Sequence, residues 1–408
     1  MIKKYQKRLY YLNKIRPFMD SDLIKVIIGQ RRVGKSYFLF QIIDEIRTNN
    51  EKCNIIYINK EDNDFDNIVD HRSLIEYVES RIKKSFKNYL FIDEIQDINQ
   101  FEKALRHLSS KKIADIYCTG SNAKLLSSEI ATGLSGRYIE ISIHPLSYQE
   151  FLKFHNLKEG EESLLQYIRY GGLPYLVNLD LNDEVVYGYL QSIYNTIVLK
   201  DVVARFNIRN INFLNRLIEY ISDNIGSLVS AKKISDFLKS QKIQTTPNKI
   251  LDYLSHLCSS FIIREVNRRD IKSKKIFEVN EKYYFEDLGI RNALFGYKTQ
   301  DIGKMLENLV YSHLLRLGFK VNVGQIDGRE VDFVAEKDGK RIYIQVTYLI
   351  SDKSVEEREF GNLLKINDNY PKIVVSMDKM ISGGFQGIDH CHIIDFLQDD
   401  ELINRIKR

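Results

Sequence analysis

The chain has 408 residues, too many for one hydrophobic core of ordinary size, so we expect two to four domains. Apolar residues make up 44% of the sequence, yet no apolar run reaches the length of a membrane span. The net charge of +5 fits contact with nucleic acid, but a lysine-rich chain without tryptophan is equally typical of an A+T-rich genome. The basic N-terminus lacks the apolar core of a signal peptide, so we expect a cytoplasmic protein with no membrane partner.

The first predicted element is a buried strand, LIKVIIG, and a phosphate-binding loop follows it. The loop reads GQRRVGKS and fits G-x-x-x-x-G-K-[ST] at every fixed position. In such a loop the backbone amides surround the phosphates, Lys35 reaches the β and γ phosphates, and the Ser36 hydroxyl binds Mg²⁺. An amphipathic helix begins at Ser36 and presents its positive end to the phosphates. We therefore predict that Mg-ATP is bound by the loop residues Gly29, Gln30, Arg31, Arg32, Val33, Gly34, Lys35, Ser36 and Tyr37.

An acidic strand end supplies the second half of this predicted site. The segment YLFIDEIQDI forms a strand over Tyr89 to Ile92, with Asp93 and Glu94 at its carboxyl end. Parallel α/β sheets bind ligands at that end of their strands. Asp93 would hold Mg²⁺ through water and Glu94 would polarise the attacking water. The alternative is an ordinary strand that ends in solvated acids, and the loop upstream makes it the less favoured one.

Two further positions are candidates for sensing the nucleotide. The strand in ADIYCTGSN is followed by Ser121 and Asn122, either of which could sense the γ phosphate, although Gly-Ser-Asn is also common turn chemistry. Arg137 precedes the strand from Tyr138 to Ile143 and could stabilise transition-state charge at the nucleotide of a neighbouring subunit. That role would require a homo-oligomer. The alternative is a surface arginine in a loop.

Residues 20 to about 175 resemble the AAA-type P-loop ATPases. They are most similar to a bacterial and archaeal family with a Gly-x-Arg-x-x-Gly-Lys-[Ser/Thr] loop, a Thr-Gly-Ser turn, a Gly-Arg pair and a His-Pro-Leu-Ser segment. In this sequence those motifs are Gly29 to Ser36, Thr119 to Ser121, Gly136–Arg137 and His144 to Ser147. The resemblance implies a nucleotide site of Lys35, Ser36, Asp93 and Glu94, with Ser121 or Asn122 as sensor and Arg137 as candidate finger. It also implies a C-terminal domain of uncertain function.

The middle of the chain favours a helical lid and then a winged helix. From Ser147 to Arg205 the pattern is helical, broken by a turn in YGGLPYLV. Residues 211–288 contain three amphipathic helices and two strands that flank the basic turn RRDIKSKK. In a DNA reader of this kind the third helix enters the major groove and the basic turn contacts phosphates. Winged helices also dock proteins, so a protein partner stays open beside DNA.

The C-terminal segment resembles the restriction-endonuclease-like fold over roughly residues 300 to 395. A helix carries Glu307, and a hairpin that turns at Asp338–Gly339 carries Asp332 and Gln345 on adjacent strands. The resemblance to the PD-(D/E)xK motif implies a second Mg²⁺ site formed by Glu307, Asp332 and Gln345. Thr347 stands where this motif has lysine, and a hydroxyl cannot supply the cation beside the attacking water. We therefore favour a degenerate nuclease fold that is kept for binding.

These patterns together predict an α/β protein with four domains. They are an AAA-type P-loop ATPase core with a parallel sheet (residues 1–146), a helical lid (147–209), a winged helix (210–296) and an α/β restriction-endonuclease-like domain (297–408). The expected function is an Mg-ATP-dependent ATPase whose nucleotide cycle drives the two C-terminal domains on DNA. The alternatives are an ATP-gated DNA nuclease and a nucleotide-switched scaffold that binds a protein without cleavage.

Overall fold

The computed structural model describes residues 5–123, 133–134, 136–350, 353–378 and 385–401. The chain forms two compact units. The first comprises Met1–His144 with Ser259–Phe261, and the second comprises Pro145–Cys258 with Ile262–Arg408. Within the described residues no helix is long and apolar enough to cross a bilayer.

The first unit is built on a five-stranded parallel sheet with the strand order β2-β3-β4-β1-β5. Its strands are β1 (Ile24–Ile28), β2 (Cys53–Asn59), β3 (Lys87–Asp93), β4 (Asp115–Gly120) and β5 (Tyr138–Ser142). Its helices are α1 (Leu9–Ile15), α2 (Lys35–Asn49), α3 (His71–Glu79) and α4 (Phe101–Ser110). The predicted α/β class with a parallel P-loop sheet is confirmed.

The core of this unit explains why its central strands are mostly apolar. Every residue of β1 and of β4 is buried, as expected for strands of a parallel sheet that are covered on both faces. Val26 of β1, Leu90 and Ile92 of β3, and Cys118 of β4 share one hydrophobic cluster. The strand order places β4 between β1 and β3. The carboxyl ends of the three strands that carry the predicted nucleotide motifs are therefore neighbours.

The second unit begins with helices. They are α5 (Tyr148–His155), α6 (Glu161–Tyr170), α7 (Asp183–Thr196), α8 (Ile211–Asp223), α9 (Ala231–Ser240) and α10 (Pro247–Ser259). A π-helix, Ile197–Ala204, continues α7. Among the residues described later in the chain, the α-helices are α11 (Leu288–Phe295), α12 (Ile302–Arg316), α13 (Lys353–Leu364) and α14 (Ile393–Gln398).

A seven-stranded sheet of order β12-β11-β10-β9-β8-β6-β7 completes the second unit. Its strands are β6 (Ile263–Asp270), β7 (Ile276–Phe285), β8 (Lys320–Ile326), β9 (Arg329–Lys337), β10 (Lys340–Val346), β11 (Lys372–Ser376) and β12 (Asp389–His392). The β9–β10 hairpin turns at Asp338 and Gly339, which both have the positive φ that tight hairpin turns require.

The hairpin formed by β6 and β7 extends this sheet. β6 pairs antiparallel with β7 and also runs parallel to β8, where Arg268 to Asp270 face Val323 to Gln325. Pairing with β8 satisfies backbone groups that an isolated hairpin would leave open along one edge. The strands assigned to the winged helix therefore share a sheet with those assigned to the restriction-endonuclease-like domain. The two domain identities, and the boundary between them at residue 296, stay predictions.

Candidate functional site

The two fixed glycines of the loop stand where another residue would be strained. A Cβ atom on Gly29 would lie 2.3 Å from the carbonyl oxygen of Ile143. Gly34 has φ 95° and ψ 23°, in the left-handed region, and it immediately precedes α2. Because α2 begins at Lys35, the unpaired amides of its first turn lie next to the loop, which is the arrangement that binds phosphate.

Lys35 lies inside the curve of the loop, with only 4% of its surface exposed. Its ammonium donates to the carbonyl oxygens of Gly29 (3.1 Å) and Gln30 (3.2 Å). It also lies 3.4 Å from Oε1 of Glu94. The side chains of the loop and of the acidic strand end are thus in direct contact, although 59 residues of sequence separate them.

Asp93 ends β3 at the predicted position and is buried. One carboxylate oxygen accepts from the Thr119 hydroxyl, and the other accepts from the Tyr57 hydroxyl at 3.2 Å. Burial raises the pKa of Asp93, and hydrogen bonds from the Ser36 and Thr119 hydroxyls oppose that rise. The structure therefore brings Ser36 and Asp93 together. A hydroxyl and a carboxylate beside a phosphate-binding loop are hard oxygen donors that suit Mg²⁺.

Glu94 follows in a left-handed conformation, with φ 56° and ψ 53°, and is also buried. Its amide donates to the Thr119 hydroxyl at 2.9 Å, which ties this turn to β4. Burial disfavours its charge, but the positive charges of Lys35 and Arg31 outweigh that effect and lower the pKa of Glu94 to about 2. Glu94 is therefore an ionised carboxylate in contact with the lysine of the loop.

Gln96 joins this group, although no pattern in the sequence predicted a role for it. Its Nε2 donates to Oε2 of Glu94 and lies 3.4 Å from the Ser121 hydroxyl. Ser121 and Asn122 are both buried at the end of β4. The only signal in the sequence was the position of Gln96 within the motif DEIQ, and that motif does not show where the side chain points.

The other side chains of the loop differ in their surroundings, and two of them have partners outside the strand end at Asp93 and Glu94. Gln30 donates to the carbonyl oxygen of Phe261 (2.9 Å), which belongs to the same compact unit, and Arg31 pairs with Glu61 at 3.0 Å. Val33 is fully buried, whereas Arg32 and Tyr37 are exposed.

Arg137 is exposed just before β5, where its carbonyl oxygen accepts from the Ile24 amide at 2.9 Å. A role for its side chain at a neighbouring subunit stays a prediction.

Arg8 is a second residue that the sequence did not reveal. It is buried, and its guanidinium donates to the carbonyl oxygens of Val33 (3.2 Å) and His144 (2.9 Å). Arg8 therefore fixes the backbone of the loop from the segment that precedes α1. A basic residue near an N-terminus gives no sequence signal for such a contact.

In the second unit, the three predicted metal ligands Glu307, Asp332 and Gln345 belong to one cluster. The amide of Asp332 donates to Oε1 of Gln345 at 3.3 Å, and Oδ2 of Asp332 accepts from the Val346 amide at 2.8 Å. A fourth residue, Lys282 of β7, links the acids. Its ammonium lies 2.7 Å from Oε1 of Glu307 and 3.7 Å from Oδ1 of Asp332.

The Lys282 ammonium is paired with the carboxylate oxygens that a metal ion would need as ligands. It also pairs with Glu330 at 2.6 Å, and Oε1 of Glu307 accepts a further hydrogen bond from the Tyr284 hydroxyl. Burial alone would lower the pKa of Lys282, but the three carboxylates outweigh it and raise that pKa. Within the described ranges, no group of three or more His, Cys, Asp and Glu side chains is arranged to hold a metal ion. The cluster as it stands does not fit Mg²⁺.

Comparison with known proteins agrees with the fold of the first unit. Residues 21–152 match the model of an AAA domain family (AAA_14), and residues 161–301 match a domain of unknown function (DUF8612). The Walker-type ATPase PABY2304 of Pyrococcus abyssi superposes with a TM-score of 0.50 at 16% identity, covering 71% of this chain and 96% of that one. At this level of identity the likeness shows the fold alone.

Two relatives match almost the whole chain. An uncharacterized protein of Haemophilus influenzae is 36% identical over 404 residues, which cover 97% of this chain and all of that protein. The uncharacterized protein MJ1544 of Methanocaldococcus jannaschii is 34% identical over 402 residues, covering 92% of this chain and 86% of that protein. The chain therefore belongs to the same family as these two proteins, and its first unit is an AAA domain with the fold of P-loop ATPases.

Proposed function

We propose that the first unit binds and hydrolyses Mg-ATP. The observation that carries this proposal is the convergence of Lys35, Ser36, Asp93 and Glu94 at the carboxyl ends of neighbouring parallel strands. Lysine, hydroxyl, metal carboxylate and base are the four groups that phosphoryl transfer to water requires in a P-loop site. The AAA domain match and the P-loop fold support ATPase activity at this general level.

Each side chain has a defined task in this proposal. Lys35 exchanges its carbonyl partners for phosphate oxygens, while the loop amides and the first turn of α2 bind the remaining oxygens. Ser36 and Asp93 would hold Mg²⁺, and the ion would supply positive charge beside the phosphates. Glu94 accepts a proton from the attacking water.

The direct test is ATP turnover together with nucleotide binding, measured on the purified chain with a fluorescent ATP analogue. Lys35→Ala should abolish both, since it removes the ammonium that lies inside the curve of the loop. Lys84→Ala, at an exposed lysine of the same unit, is the matched control and should match the wild-type chain. Wild-type protein that neither binds nor hydrolyses ATP would refute the proposal.

We further propose that the nucleotide cycle drives the C-terminal part of the chain, in which a winged helix and a restriction-endonuclease-like domain act on DNA. The net charge of +5 and the basic turn between β6 and β7 support DNA as the partner. ATP hydrolysis measured with and without double-stranded DNA tests this step. Stimulation by DNA supports it, whereas turnover that ignores DNA at low and moderate salt contradicts it.

A second candidate is a nucleotide-switched scaffold that binds without cleaving. The specific observation in its favour is Lys282, whose ammonium occupies the acids that a nuclease would use for Mg²⁺. We therefore expect no Mg²⁺- or Mn²⁺-dependent cleavage of DNA by the wild-type chain. Cleavage that is lost in Asp332→Ala would overturn the scaffold and favour an ATP-gated nuclease instead.

A further inference from the structure

The side chain of Gln96 lies between two residues that the proposed ATPase needs. Its Nε2 donates to Oε2 of Glu94 and approaches the Ser121 hydroxyl at 3.4 Å. The left-handed turn at Glu94 produces this contact, because the chain reverses into the short helix Ile95–Asp97 and returns Gln96 to the carboxylate. Gln96 is therefore built into the predicted catalytic end of β3.

The neighbouring carboxylate fixes the orientation of the Gln96 amide. An ionised carboxylate can only accept hydrogen bonds, so the atom that faces Glu94 must be the NH₂ group and not the carbonyl oxygen. Rotating the amide by 180° would place Oε1 against Oε2 of Glu94 and two acceptors would repel each other. Oε1 of Gln96 must consequently point the other way.

Oε1 of Gln96 is buried and has no hydrogen-bond partner among the residues that the structure describes. Buried polar atoms in native proteins are nearly always paired, with protein groups or with water, because an unpaired one is costly. This acceptor lies on a side chain whose other end already holds the predicted base. An unsatisfied acceptor at that place calls for a donor that the protein does not supply.

We propose that this donor is the attacking water, and that Gln96 positions it for in-line attack on the γ phosphate. One O–H group of the water donates to Oε1 of Gln96 and the other to the carboxylate of Glu94, so an oxygen lone pair is left facing the phosphorus. The water oxygen then bonds to the γ phosphorus and the bond from phosphorus to the β–γ bridging oxygen breaks. One water proton passes to Glu94 and ADP departs with that bridging oxygen. The inference rests on the proposed ATPase function.

Lys35 gives this arrangement a dependence on the nucleotide. Its ammonium lies 3.4 Å from Oε1 of Glu94, while Gln96 occupies Oε2. When phosphate oxygens draw Lys35 away, Oε1 of Glu94 becomes available to accept the water proton. Gln96 stays hydrogen-bonded to Oε2 throughout and keeps the carboxylate in place.

The test is steady-state ATP hydrolysis by Gln96→Met, which keeps the length of the side chain and removes the amide. We expect kcat to fall about 100-fold, the scale of a lost proton-positioning group, with the Kd for a fluorescent ATP analogue changed less than about twofold. The nucleotide recovered from the protein after turnover should shift from ADP to ATP. Asn99→Ala removes an exposed amide three residues away and is the matched control, expected to leave kcat unchanged.

Two results would overturn the role of Gln96. The first is a Gln96→Met kcat within twofold of the wild-type value, and the second is a loss of ATP binding that parallels the loss of turnover, which would mean a purely structural role. If Gln96→Met does not fold, Gln96→Glu of equal size tests the same inference through the same split between kcat and Kd. Wild-type protein that binds no ATP would instead refute the ATPase proposal itself, so the two failures are distinguishable.

Discussion

Lys282→Met is the substitution whose effect on stability can be worked out most directly. The side chain of Lys282 is 2% exposed, and those of its partners Glu307 and Asp332 are 12% and 8% exposed. Removing one member of a buried ion pair leaves an uncompensated buried charge and costs about 3–5 kcal/mol. Glu330 is 35% exposed, so solvent screens its charge and the loss of the Lys282 ammonium costs it less stabilisation. We therefore expect Lys282→Met to lower the free energy of unfolding by about 3–5 kcal/mol at neutral pH.

Urea unfolding followed by far-UV circular dichroism measures this loss, with Lys272→Met as the matched control. Lys272 also pairs with a carboxylate at 2.6 Å, but it is 61% exposed and its partner Asp327 is 52% exposed. Exposed pairs of this kind contribute roughly 0–1 kcal/mol. Both variants remove an ammonium from a close ion pair, but Lys282 is buried among three carboxylates whereas Lys272 is exposed beside one, which accounts for the expected difference.

The pH dependence provides a second, independent check. Burial raises the pKa of Asp332 and the Lys282 ammonium opposes that rise, so in Lys282→Met this carboxyl takes up a proton more readily in the folded state. Protonation removes the buried charge, and the gap in stability between the wild-type chain and Lys282→Met should narrow as the pH falls from 7 towards 4. Two results would refute this reasoning. One is an equal loss of unfolding free energy in Lys282→Met and Lys272→Met, and the other is a stability difference between the wild-type chain and Lys282→Met that does not change with pH.

Three further predictions concern the nucleotide site and a buried acid. Glu94→Gln should lower kcat for ATP at least about 100-fold and leave bound ATP on the protein, and unchanged turnover would remove Glu94 as the base. Gly29→Ala should weaken binding of a fluorescent ATP analogue, because the added Cβ would lie 2.3 Å from the Ile143 carbonyl oxygen, whereas Gly188→Ala meets open space and should not. Burial raises the pKa of Asp287 to about 6, so the folded state binds more protons than the unfolded one. Stability should therefore rise as the pH falls through the window between about 6 and about 4, by up to roughly 3 kcal/mol, and urea unfolding of Asp287→Asn should lack that rise.

The sequence was sufficient for the fold class of the first unit because the signals for that class are local. A strand, a glycine loop and a helix follow one another within 30 residues, and each glycine is required by the backbone around it. The acidic strand end was equally readable from the apolar run that precedes Asp93. The order of the strands was not readable, since it depends on pairings such as β1 with β4 that join residues far apart in sequence.

Gln96 and Lys282, two of the residues that the sequence did not reveal, depend on such distant geometry. Gln96 reaches Glu94 only because Glu94 takes a left-handed conformation, which a glutamate rarely adopts and no local pattern predicts. Lys282 is 25 residues from Glu307 and 50 from Asp332. Its approach requires the packing of β7 beside α12, which no local pattern around Glu307 or Asp332 indicates.

The two buried lysines differ in what would have to be broken to move them. Lys35 is held by two neutral carbonyl oxygens and by one carboxylate at 3.4 Å, while Lys282 is surrounded by three carboxylates, two of them within 2.7 Å. Phosphate groups of a bound nucleotide carry more negative charge than the partners of Lys35, so exchange is favourable there. The same exchange at Lys282 would leave the largely buried carboxylates of Glu307 and Asp332 without their counter-ion. Lys35 is thus suited to bind and release a ligand, and Lys282 to remain a fixed internal counter-ion that holds β7, α12 and β9 together.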